Sequence, residues 1–310
     1  MNRESWRVSL HGGHSSDFCD HASSLLREML EAAVAAGYHT FGVSEHAPHS
    51  EARFLYEEEI RRGWDVTTSL HNFKTYTALL SEFAEEFADR LIVLRGFEAE
   101  VVPTATYIPE MRGYIEQTDA SGRRYFDYFV GSVHYVDELV IDGSIPDYRH
   151  AVEHCDGIEN FAVRYYETVV TMIETLQPDV VGHLDLIRRN LELAGFALSD
   201  IETPRIAAAI DAALETAKAY DAVLDLNTAG WRKGLAHPYP APALVRRAAH
   251  IGVPFCFGDD SHRVSDVGAG IEAARTYLLE NGVNSLRILT REGDPFSGEI
   301  VKRMVNLVAN

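Results

Sequence analysis

Along this chain, short apolar runs alternate with longer stretches in which apolar positions recur every three or four residues, the pattern of buried strands separated by packed helices. The runs at 8–10, 40–44, 91–94, 128–133, 180–181, 222–226 and 253–257 read as strands. Helical spacing covers 20–36, where Leu25, Leu26, Met29, Leu30, Ala33 and Val34 share a face and Gly37 ends the element. It returns at 70–89, 159–176, 204–219 and 241–249, and helices at 267–280 and 297–308 would close the outer shell. Phe161, Tyr165, Val169, Met172 and Ile173 lie at core spacing, so these aromatics predict packing rather than a cofactor stack.

The stretches between are less regular. Residues 51–65 are charged without a period and are a candidate lid. Residues 102–125, with Pro103, Pro109 and Gly122, read as a loop or small hairpin insertion, and 137–156 as an acidic loop. About seven strand and helix units fill 310 residues as one α/β domain, 1–310, with no linker or internal repeat to mark a second.

Chemistry enters at the ends of the strands. His11 and His14 follow the first run, His46 the second, Glu98 the third, His134 the fourth and His183 the fifth, and Asp260 and His262 sit in GDDSH after the last. A lone histidine at a strand end is more often a satisfied core residue than a ligand. Six such endings together argue for one site at the C-terminal mouth of a barrel of parallel strands. With His21, seven of the fourteen histidines belong to this set, and Glu98, Asp260 and a weaker candidate, Glu45, add carboxylates. That mixture suits zinc, manganese or iron, and nine ligands are enough for two or three divalent ions. His39, His49, His71, His150, His154, His237 and His250 are left as surface, loop or supporting residues.

Charge and cysteines narrow the partners. A formal charge of -19 without a lysine and arginine cluster excludes long nucleic acid, while a small phosphorylated substrate remains compatible because bound cations reverse the local field. Three cysteines, Cys19, Cys155 and Cys256, show no CxxC spacing and point to a reducing, cytoplasmic setting. No run approaches bilayer length and residues 1–10 lack a signal-peptide core, so no membrane association is expected. HGGHSSDFCDHA lacks the lysine of a phosphate loop, and its glycines instead let one loop turn its imidazoles inward. Arg188 and Arg263 are placed to grip phosphate, with Arg189 and Arg232 in reserve; Asn227 is either a ligand-orienting group or a turn cap.

The stretches FCDHA, SEHAP, GFEAE, GSVHYV, VGHLDLIRR, LNTAGWRK and DDSHRVSDVG, in that order, resemble the polymerase and histidinol phosphatase (PHP) family, and within it the histidinol-phosphatase branch. The resemblance runs from about residue 8 to 270 and leaves 51–65 and 102–125 uncovered. It implies a distorted TIM-like (β/α)7 barrel with a trinuclear centre and phosphomonoesterase activity converting L-histidinol phosphate to histidinol and phosphate, a step of histidine biosynthesis. It implies one ion at the first histidine pair, Glu98 and Asp260, a second at His21, His46 and His262, and a third at Glu98, His134 and His183, with Glu98 as bridge. Asp260 or His262 would assist the leaving alkoxide, and Arg188 and Arg263 match phosphate-binding positions.

Two departures stand out. The family usually opens with HxH, whereas this chain has HGGH, so either of His11 and His14 would coordinate, or both through a glycine bulge. DDSH replaces the common SDAH and sets Asp259 beside the ligand position, a charge that would strengthen cation binding or weaken phosphate binding. A PHP phosphoesterase acting on another small phosphoester, a nucleotide or an oligonucleotide is the alternative enzyme, and a non-catalytic metal-binding regulatory domain the alternative from another class.

Overall fold

A computed structural model of the chain describes residues 6–100, 106–120 and 122–308. Its main sheet is built from β1 (Val8–Gly13), β2 (Thr40–Val43), β3 (Ile92–Arg95), β4 (Glu98–Glu100) and β5 (Val130–Ser132), then, after a small hairpin of β6 (Tyr135–Val136) and β7 (Leu139–Val140), from β8 (Val180–Val181), β9 (Val223–Asn227) and β10 (Phe255–Ser261). The strands of that sheet pair in parallel in the order β3-β2-β1-β10-β9-β8-β5-β4.

The two edges of this sheet are neighbours in the chain. Only Gly96 and Phe97 separate β3 from β4, and His46, just beyond β2, forms a parallel bridge with Glu98. The sheet therefore curls round on itself, and counting the split strand once leaves the seven-stranded distorted barrel that the family resemblance implies. Gly96 permits the break: a Cβ there would stand 2.3 Å from a ring carbon of Tyr128 and 2.7 Å from the Val43 carbonyl.

Strands covered on both faces explain the unbroken apolar runs. Val8, Leu10, Phe41, Val43, Val93, Val130, Leu224, Leu226, Phe255 and Phe257 are all buried. The helix Ile158–Leu176 buries Phe161, Tyr165, Val169, Met172 and Ile173, as its spacing predicts.

Several segments differ from the sequence reading. The expected C-terminal helix at 297–308 is instead strand β12 (Glu299–Asn306), paired antiparallel with β11 (Ser285–Glu292), which the pattern did not reveal. β12 leaves most of its residues exposed and so carries almost no two-residue period to read. The acidic loop at 137–156 contains the helix Ile145–His154, started by Ser144 and Asp147 in a reciprocal cap. The insertion at 102–125 contains the helix Tyr107–Glu116 and a hairpin-like bridge between Thr118 and Arg124; residues 102–105 and 121 lie outside the described residues, as do 1–5. The charged segment 51–65 folds into a short turn, Ala52–Phe54, and a helix, Glu57–Arg61. No described helix is long and apolar enough to cross a membrane.

Candidate metal centre

The ligands predicted at strand ends meet at one mouth of the barrel, and Glu98 is their centre. Its Oε2 lies 3.5 Å from His11 Nε2, 3.5 Å from His14 Nε2 and 3.3 Å from His46 Nδ1. Its Oε1 lies 3.2 Å from His183 Nε2 and 3.4 Å from His134 Nε2. His14 Nε2 also stands 3.5 Å from Asp260 Oδ1, and His21 Nε2 stands 2.9 Å from His262 Nε2. All nine predicted side chains are thus brought together.

The glycines of HGGH do what the spacing required. The pairing of β1 with β10 slips between Ser9 and His11 and again between His11 and Gly13, so His11 and His14 reach the same Glu98 oxygen from either side of a bulge. Gly13 has φ +131, and a Cβ on it would meet the Ser261 carbonyl at 2.1 Å. Two of the predicted ligand positions also hold unusual backbone: His183 has φ 23 and Asp260 φ 48. Strain of this kind persists where surrounding structure fixes it, and it is concentrated at functional sites.

Carboxylates behind the imidazoles fix their orientation, and two of them, Asp225 and Glu100, were not singled out from sequence. Asp225 meets His11 Nδ1 at 2.9 Å and accepts the His183 backbone N–H at 2.6 Å; Asn227 in turn donates to Asp225 at 2.9 Å and accepts the Ala229 N–H. Asn227 therefore serves as both cap and support. Glu100 is completely buried and lies 3.2 Å from His46 Nδ1, 3.1 Å from His134 Nδ1 and 3.1 Å from His49 Nε2, and it receives the Tyr56 hydroxyl at 2.7 Å. Its signal was present in GFEAE, because residues two apart on a strand point to one side. Glu45 accepts from both the backbone and the hydroxyl of Ser15, at 2.7 and 2.6 Å, and burial pushes its pKa up to about 8.

The donor set fits divalent cations. Nε2 of His11, both ring nitrogens of His14 and Oε1 of Glu98 are buried without a hydrogen-bond partner, a cost that a cation would remove. Three groups, His11 with His14 and Glu98, His11 with His183 and Asp260, and Glu98 with His134 and His183, each place their ligand atoms within 4.8 Å of one another. Burial, reinforced by His46, pushes the His14 pKa down to about 3, so the ring stays neutral and keeps a lone pair. Burial acts to raise the Glu98 pKa, but His11 and the other imidazoles outweigh it and hold the carboxylate ionised.

Above these ligands opens a cavity of about 750 Å³. Its wall includes Glu98, His134, His183, Asp260 and His262, the basic residues Arg189, Arg232, Lys233 and Arg263, and the carboxylates Glu57, Glu58, Glu138, Asp142 and Asp147. Arg188 is not part of that wall. It is buried, with Nε donating to Asp185 at 2.6 Å and Nη2 to the Pro238 carbonyl at 2.6 Å, whereas its neighbour Arg189 lines the cavity. Arg263 does line the cavity and is tied to Asp266 at 3.0 Å. Asp259 turns away from the ligands, accepting the Tyr38 hydroxyl at 2.6 Å and the Gly268 N–H at 2.8 Å.

A model of the PHP domain family matches residues 11–229. A probable histidinol-phosphatase of Schizosaccharomyces pombe is 29% identical over 307 residues, covering 96% of this chain and 94% of that protein. Among solved structures, the putative histidinol phosphatase of Listeria monocytogenes aligns with TM-score 0.72 at 26% identity over 85% of this chain and 98% of that one. The histidinol phosphate phosphatase of Lactococcus lactis, crystallised with zinc, L-histidinol and phosphate, shares the fold with TM-score 0.66 at 17% identity over 96% and 99% of the two chains.

Proposed function

The chain belongs to the PHP domain family, and from that premise we propose that its whole length forms one metal-dependent phosphomonoesterase that hydrolyses L-histidinol phosphate. The observation that carries this reading is the convergence of seven imidazoles with Glu98 and Asp260 at one mouth of the barrel, five of the imidazoles lining the cavity, with buried ligand atoms lacking any other partner. The relatives that span nearly the whole chain, named as histidinol-phosphatases, support the substrate.

His11, His14, His21, His46, Glu98, His134, His183, Asp260 and His262 would hold two to three ions, with zinc, manganese or iron all suited to the mixed donors. Bound there, such ions supply Lewis-acid charge that activates water and neutralises the phosphoryl oxygens. The chain's own residues do the rest. Glu98, held ionised by its imidazoles, can serve two positions at once because its two oxygens face different histidines. Asp260 stands at the cavity wall with His262 beside it and its carboxylate held ionised, so it can take a proton from the attacking water and return it to the leaving alkoxide. Arg189 and Arg263 supply cationic donors for the phosphate. The carboxylates at 57, 58, 138, 142 and 147 give the same cavity an acidic sector that complements a positively charged amino alcohol.

The test is phosphate release by metal-loaded protein. Histidinol phosphate should turn over far faster than generic phosphoesters. Comparable slow rates on all of them would remove the substrate assignment while leaving the phosphoesterase site.

A further inference from the structure

We propose that Lys233 grips the substrate's phosphate, as the cation of this cavity that the protein leaves uncommitted. The inference rests on the phosphoesterase reading above and adds a binding residue to it. Five lysine and arginine side chains line the cavity: Arg53, Arg189, Arg232, Lys233 and Arg263.

Four of them already have protein partners. Arg53 pairs with Glu51 at 2.9 Å and with Glu138. Arg189 donates to Asp142 at 2.9 Å. Arg232 donates to the Thr228 hydroxyl at 2.9 Å and to the carbonyls of Asp259 and Asp260, so it braces the end of β10. Arg263 donates to Asp266 at 3.0 Å. The Lys233 ammonium makes no hydrogen bond or ion pair among the described residues.

Its position is set by the same bracing. Lys233 follows the short helix Ala229–Arg232 directly, so the contacts of Arg232 with the carbonyls of Asp259 and Asp260 hold the lysine beside the ligand loop. Lys233 is exposed at the edge of the cavity, where partial desolvation and then the nearby Arg189 push its pKa down, against the pull of Asp260 and Asp142. The charge of an arriving phosphate dianion would oppose that shift and favour the ammonium form. An ammonium is a compact point charge with three rotatable donors, suited to a phosphate oxygen whose direction is set by other groups. Phosphate is shared by substrate and product, so the contact should act on binding more than on turnover.

The experiment uses full-length, metal-loaded protein carrying Lys233→Gln or Lys233→Arg, with inorganic phosphate as the calorimetric probe and histidinol phosphate as the kinetic one. Losing one charge-assisted contact should weaken phosphate binding and raise KM by about ten- to a hundredfold, with kcat changed much less. Metal content per chain should stay the same, and Lys233→Arg should recover most of the affinity. Equal phosphate affinity in wild type and Lys233→Gln overturns the proposal, and so does a loss of affinity that merely follows a loss of metal. Phosphate binding that depends on Lys233 in a protein inert toward histidinol phosphate would uphold this role and overturn the substrate assignment instead.

Discussion

Glu98 and Glu100 bracket a single ring: Glu98 Oε1 lies 3.4 Å from His134 Nε2 while Glu100 Oε1 lies 3.1 Å from Nδ1 of the same imidazole. One three-residue strand thus supplies both the group that faces the ions and the group that sets the ring's orientation. Because Glu100 also meets His46, it steadies ligands on two separate loops. Replacing Glu100 by Gln should cost about 10- to 100-fold in metal affinity or activity, as for other carboxylates behind ligating histidines. A metal titration alongside the phosphatase assay would show it, and unchanged values in both would refute the supporting role.

Glu98→Gln should have a larger effect. It removes the charge that five imidazoles face, so at least one ion per chain should be lost and turnover should fall by orders of magnitude. Elemental analysis with a circular dichroism spectrum separates this outcome from misfolding.

Arg188 should behave as a residue of the fold and not as a phosphate ligand. Its partner Asp185 is 1% exposed and also accepts the Ala241 N–H at 2.9 Å. Arg188→Ala strands that carboxylate, which should cost about 3–5 kcal/mol of stability. Urea unfolding should reveal the loss, while KM at a temperature where the variant stays folded should change little.

Asp259 gives a pH dependence whose sign can be worked out. Burial raises its pKa to about 6, so the folded state prefers the neutral carboxyl. The stability this group contributes is full below about pH 4, the pKa of the unfolded chain, and is lost as pH rises through 6, by about 3 kcal/mol in all. The stability difference between metal-free wild type and Asp259→Asn should therefore drift against the wild type over that interval. A difference that stays flat from pH 4 to 7 would contradict it.

Much of the barrel was legible because its strands are buried on both faces and its helices on one, so each leaves a distinct apolar period. The ligands were legible for a related reason, since a barrel puts polar residues at strand ends only where the chain leaves the core. HGGH left open which imidazole coordinates, and the slip in pairing around Gly13, a matter of backbone, is what brings both inward. Arg188 and Arg189 are adjacent in sequence, and only the tertiary placement of Asp185 and Pro238 separates the one buried in the fold from the one facing the cavity. β12 escaped notice because an exposed strand has no apolar alternation to show. The helix Ile145–His154 was missed because the acidic composition around it reads as a loop, although Ser144 and Asp147 form a cap that marks its start.

The break between β3 and β4 would give bound ions a second task. The ring closes where Glu98 pairs with His46 on one side and with Val130 on the other, so the joint of the barrel and the hub of its ligands are the same residue. Loading would then act as a clasp across that joint, and metal affinity would become folding stability. Stripping the ions should accordingly unfasten the barrel at one place first, with amide exchange quickening at 96–100 before it does along β9 and β10.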